Sequence, residues 1–139
     1  LAIWLTMQTA RAHMDNITAL FKALSDRNRL RIVAALMKYE ELCACQIIEL
    51  MQVTGATVSR HMGVLTGSGL VASRKEGRWV YYRMRREQTA FTGLVLWMEK
   101  QLINDSDIER DALTLAEILA CDPEDISRKQ RSDACCASN

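Results

Sequence analysis

Cys43 and Cys45 stand one residue apart in the run Glu41-Leu42-Cys43-Ala44-Cys45-Gln46, and Cys121, Cys135 and Cys136 follow much later. Thiolates are ligands for soft or borderline ions such as As(III), Sb(III), Cd(II), Pb(II) and Zn(II). Five cysteines is an odd number and no signal peptide precedes them. That points to free thiols in a reducing cytoplasm rather than to a disulfide framework. Zinc prefers four ligands, often with histidine or carboxylate among them, and only His13 and His61 are present. As(III) is satisfied by two or three thiolates in a pyramid, which suits Cys43 and Cys45 with one extra donor; Sb(III) is hard to tell from it.

On a regular helix, side chains two residues apart diverge by about 200°. Chelation by this pair therefore requires the first turn of its helix to fray, which would make a switch. For the extra donor, Cys135 and Cys136 can reach a site in their own chain or a partner's. They can equally bind a second ion or stay unligated. Cys121, after Ile118-Leu119-Ala120, reads as a packing residue. Thiol redox sensing is the other chemistry open to these residues. A vicinal Cys135-Cys136 bond is strained, so that reading needs a longer-range pair such as Cys43 with Cys136.

A second group of residues could touch nucleic acid. Net charge is only +1, but residues 54–86 carry seven basic groups against one acidic, while residues 87–139 carry five against eleven. Such local asymmetry matters for phosphate contact. Within the basic stretch, Thr57, Ser59, Arg60 and His61 fall outward on a helix whose Val58 and Met62 point to a core. Arg60 can pair bidentately with guanine, and Thr57 or Ser59 can bond phosphate or base. Arg74, Lys75 and Arg78 lie about a glycine turn, where minor-groove or phosphate contact is expected. No nucleophile–base arrangement supports catalysis, since His61 is the only plausible base and is placed for DNA. We therefore expect no enzyme.

The elements that must position these residues follow from periodicity. Residues 16–24 carry Ile17, Leu20, Phe21 and Leu24 at helical spacing. Ser25-Asp26 then caps a helix over 27–37. Short helices over 44–51 and 56–66 flank Gln52-Val53-Thr54-Gly55 and form a helix-turn-helix. Residues 70–75 and 78–84 read as a hairpin about Glu76-Gly77, a wing. From Thr89 the helical pattern returns with Leu94, Trp97, Met98 and Leu102. That helix, widened by Val95 and Leu96, has apolar surface enough for a core and a partner chain. A further helix is expected over 107–120 and a mobile polar tail after Pro123. The fold class is mainly α with a small β wing, a homodimeric winged helix-turn-helix. Residues 1–14 read as a leader, disordered or foreign to the natural chain, with Met7 or Met14 as its start. Residues 15–104 form the DNA-binding and dimerisation domain, and 105–139 a C-terminal helix and cysteine tail. No apolar run approaches the ~18 residues of a membrane span.

Phe21-Lys22-Ala23-Leu24-Ser25-Asp26 with Arg29-Leu30-Arg31-Ile32 resembles the opening of the ArsR/SmtB family of metal-sensing repressors. Ala56-Thr57-Val58-Ser59-Arg60-His61-Met62 with Val64-Leu65 and Gly69-Leu70-Val71 resembles its recognition helix, and Gly77-Arg78-Trp79-Val80-Tyr81-Tyr82 its wing. The resemblance covers residues 16–102 and implies a homodimer whose grip on double-stranded operator DNA weakens when an inducer binds. The Glu-Leu-Cys-x-Cys run is similar to the family's arsenic-sensing motif, which implies As(III) or Sb(III) as inducer and no permanent cofactor. Gln46 departs from the acidic residue common there, and Gly63 and Gly67-Ser68 loosen the end of the recognition helix. The zinc site that some members carry on the fifth helix is missing, since that helix has no histidine. The cadmium/lead branch adds cysteines from an N-terminal arm, and residues 1–42 hold none.

Overall fold

The computed structural model describes residues 2–136, with side chains described at Ile3 and from His13 to Asp133. Helix α1 (Ala2–Leu24) buries Leu20 and Ala23. It runs without a break through the stretch expected to be a leader. Ile17 and Phe21, which share the helical spacing of Leu20 and Leu24, are 53% and 59% exposed. Asp26 caps α2 (Arg27–Lys38) by accepting the Arg29 N–H at 3.0 Å, a contact worth ~1 kcal/mol. Ile32, Val33 and Leu36 form the buried face of α2.

The two-residue strand β1 (Leu42–Cys43) leads into α3 (Ala44–Met51). Sequence periodicity misses β1, because two residues carry no alternation. Gln52 turns the chain out of α3 with φ +52. Thr54 then caps α4 (Gly55–Gly67) by accepting the Thr57 N–H at 3.2 Å. Strands β2 (Val71–Glu76) and β3 (Trp79–Met84) pair from Val71↔Met84 to Glu76↔Trp79. The two-residue turn Gly77-Arg78 between them needs a positive φ, and Gly77 supplies it at +60. β1 joins the far side of β3, giving the antiparallel order β1-β3-β2.

A 3-10 turn (Thr89–Phe91) takes the place of the first turn expected of the fifth helix, so α5 spans Thr92–Leu102. Met98 of α5 is buried, while Leu96 and Trp97 face outward. Two C-terminal helices follow, α6 (Ser106–Leu119) and α7 (Pro123–Cys136). α7 occupies the segment expected as a tail. Proline suits the first position of a helix, where its missing N–H costs nothing, and Ile126 gives α7 one buried apolar anchor. α6 is fastened to α2 by the bidentate Arg31–Asp111 pair at 2.6 and 2.8 Å and by Arg27–Asp107. α6 and α7 both pack on α3. Among the described residues no helix is long and apolar enough to cross a membrane.

Candidate functional site

Cys43 and Cys45 meet because only one of them is helical. Cys43 ends β1 and serves as the N-cap of α3 with extended backbone, φ −71 and ψ 147, while Cys45 sits in the first turn. The Sγ atoms are 3.1 Å apart, with the Cys45 thiol donating to Cys43. No fraying of α3 is needed, contrary to the reading that placed both residues on a helix. Gln46, the departure noted in the motif, has a structural role at the third helical position: its Oε1 accepts the Cys43 N–H at 2.8 Å.

Both thiols are buried, at 3% and 6% exposure. The hydrogen bond from Cys45, with further help from the backbone N–H groups of Cys45, Gln46 and Ala44, lowers Cys43 to about 6 against the cost of its burial. The same bond, with burial and the neighbouring charge, pushes Cys45 up. The arrangement favours a thiolate at Cys43 beside a protonated Cys45, and the thiolate is the form that binds metals. α7 closes over them. The Pro123 carbonyl lies 3.9 Å from Cys45 Sγ, and the Gln130 amide donates to the Cys45 carbonyl at 2.9 Å.

A cross-strand row leads away from the pair: Cys43 is registered opposite Tyr81 in β3, and Tyr81 opposite Arg74 in β2. The Arg74 guanidinium lies over the Tyr81 ring at 4.2 Å. It also binds both carboxylate oxygens of Glu41, at 2.8 and 2.6 Å, and Glu76 at 2.7 Å. Those bonds raise Arg74 and hold Glu41 below the usual carboxylate range. On the turn, Arg78 pairs with Glu124 of α7 and stacks on Trp79 at 4.8 Å. Lys75 is exposed and makes no ion pair among the described residues. These carboxylate partners went unforeseen, because Glu41 and Glu124 lie 33 and 46 residues from the arginines they bind.

On α4, Ser59 and Arg60 are exposed and Thr57 is half-buried, its hydroxyl 2.8 Å from that of Thr54. His61 does not join them. It is 9% exposed, turned toward α2, with Nδ1 3.4 Å from the Arg29 guanidinium. Arg29 in turn donates to the Ala23 and Lys22 carbonyls at 2.6 and 3.0 Å. His61 stands three residues after Val58 and one before Met62, and that places it on the buried stripe of α4. Cys121, expected to pack, is exposed. The backbone of Cys135 and Cys136 forms the last turn of α7, and their side chains lie outside the described residues.

Residues 26–73 match the model of the bacterial regulatory protein, arsR family. The arsenic resistance transcriptional regulator ArsR1 of Pseudomonas putida is 32% identical over 111 residues, which cover 76% of this chain and 84% of that protein. The cadmium resistance regulatory protein CadC of Listeria innocua is 45% identical over 67 residues, 48% of this chain and 56% of that protein. The chain thus spans little more than half the length of that relative. Among solved structures, the homodimeric winged helix-turn-helix DNA-binding domain Mb0332 of Mycobacterium bovis superposes with a TM-score of 0.57 at 29% identity. That superposition covers 73% of this chain and 89% of the domain. The fold is a winged helix-turn-helix of the kind found in DNA-binding regulators rather than enzymes. The chain belongs to the ArsR family.

Proposed function

We propose that this chain is a cytoplasmic repressor that binds operator DNA as a homodimer and lets go when As(III) or Sb(III) binds Cys43 and Cys45. The observation that carries the reading is the 3.1 Å separation of two buried thiols in a protein of this family. Ligands brought that close need little reorganisation to share one ion. Ser59, Arg60 and Thr57 of α4 are assigned to the operator, with Arg74, Lys75 and Arg78 of the wing. The apolar residues Ile17 and Phe21 of α1, with Leu96 and Trp97 of α5, are assigned to the partner chain. Each is a large apolar residue more than half exposed, as a residue covered by a partner chain would be.

Coupling from ion to DNA runs through the row Cys43–Tyr81–Arg74. Chelation would pull on Cys43 and so on β1, which is hydrogen-bonded to the strand beneath Arg74. The wing is thereby re-aimed by an event in the core, and operator affinity falls.

A cadmium- or lead-responsive repressor is the second reading, favoured by the 45% identity to CadC. Fluorescence anisotropy of the reduced protein on its own promoter DNA, titrated in parallel with arsenite, cadmium and zinc, separates the two. Release by arsenite at low stoichiometry supports the first reading, and release by cadmium alone supports the second. Indifference to every ion with loss of binding on mild oxidation replaces both with a thiol redox sensor.

A further inference from the structure

Two thiols leave an As(III) centre one donor short. Arsenous acid condenses with thiols stepwise: each arsenic hydroxyl leaves as water, its proton coming from the thiol S–H or, where the sulfur is already a thiolate as at Cys43, from solvent, and an As–S bond replaces an As–O bond. Three condensations give a neutral tris-thiolate with no change of oxidation state.

The structure ranks the remaining cysteines as a third donor. Cys135 and Cys136 come twelve and thirteen residues after Pro123, so an intact α7 carries them about 18–20 Å along its axis from the end that touches Cys45. Cys121 stands two residues before Pro123, and two residues span at most ~7 Å. It lies in the short corner between α6 and α7, exposed, its Sγ donating to the Glu117 carbonyl at 3.6 Å. It also lines a cavity of about 260 Å³ together with Glu49, Glu117, Ile118, Ile126 and Lys129. Glu49 is one helical turn after Cys45, on the same face of α3. The open space therefore lies between Cys121 and Glu49, one helical turn along α3 from the buried Cys45.

We propose that Cys121 is the third thiolate, delivered to Cys43 and Cys45 by the α6–α7 corner of the same chain. The proposal rests on the reading of Cys43 and Cys45 as the metalloid site. Among the described residues no three ligand side chains already form a cluster, so the corner must move inward. What holds the corner in place is the packing of Ile118 and Ile126, the Arg78–Glu124 and Lys129–Glu49 pairs and the Gln130 bond to Cys45. Movement of the corner also displaces Glu124 relative to Arg78, which gives the ion a second line to the wing.

The test compares arsenite with phenylarsine oxide, whose arsenic keeps its carbon and takes only two thiols, on the reduced full chain. Cys121→Ser should bind phenylarsine oxide as the parent does while its arsenite affinity falls about tenfold or more. In the parent, arsenite should protect Cys43, Cys45 and Cys121 together from alkylation, read by mass spectrometry without any variant. Unchanged arsenite affinity in Cys121→Ser, or arsenite protection of Cys135 and Cys136 with Cys121 still reactive, overturns the proposal. If Cys43→Ser and Cys45→Ser bind arsenite as the parent does, the reading of the site itself fails, and this proposal with it.

Discussion

Arg74 of the wing grips both carboxylate oxygens of Glu41, at 2.8 and 2.6 Å, and Glu41 lies two residues before Cys43. A phosphate must compete with that carboxylate for the guanidinium. Glu41→Gln removes the charge with little change of shape, so operator affinity measured by anisotropy should rise several-fold. A fall would mean that Glu41 instead holds Arg74 in its DNA-contacting pose.

Replacing either buried thiol should separate sensing from binding. Cys43→Ser or Cys45→Ser keeps the fold and the operator complex but abolishes release by arsenite. Normal release in both variants would remove the pair from the mechanism.

Arg60 is exposed on α4 and His61 beside it is not. Arg60→Ala should weaken specific operator binding by ~1–3 kcal/mol with little effect on stability. His61→Ala should act mainly on thermal stability, since it empties a buried position against Arg29. Equal losses of specific affinity at matched stability would put both side chains on the reading face.

The Asp111 carboxylate is buried and binds Arg31 bidentately. Removing one partner of such a pair leaves the other charge uncompensated, so Asp111→Ala should cost about 3 kcal/mol in denaturant unfolding. A cost near zero would show that α6 contributes nothing to the cooperative fold.

Asp26 is held below its ordinary range chiefly by the Arg29 N–H bond at the start of α2. A carboxylate lowered in the folded state adds stability above its unfolded pKa and loses it as pH falls through the folded value. Asp26→Ala should therefore lower stability by ~1 kcal/mol at neutral pH. The gap to the parent should close in acid, below the usual carboxylate range. A gap independent of pH would assign the effect to packing instead.

Local signals carried most of this architecture. Asp26 and Thr54 cap the helices that follow them, Gly77 supplies the positive φ of the wing turn, and α3 spans 44–51 as its periodicity indicates. What was illegible is non-local. β1 exists only because Tyr81 and Tyr82 offer it a ladder, and without β1 the cysteine pair reads as two divergent helical positions. The acidic excess over residues 87–139 shows in the sequence only as a charge asymmetry, yet Asp107, Asp111 and Glu124 each hold an arginine from far earlier in the chain. His61 was misplaced for a simpler reason. Val58 and Met62 define a stripe that already includes His61, but its polarity argued against burial.

The carboxylates on the wing also change what ionic strength should do. An arginine that leaves water for a DNA phosphate frees a condensed counterion, and the salt dependence of binding counts such events. On the proposed assignment of Arg74 and Arg78 to DNA, these two would leave carboxylates instead, and each abandoned carboxylate would draw small cations toward itself as the phosphate sheds its own. The net ion traffic on complex formation is then smaller than the basic residues on the DNA face would give, and the operator complex should tolerate changes in cellular salt better than that count implies.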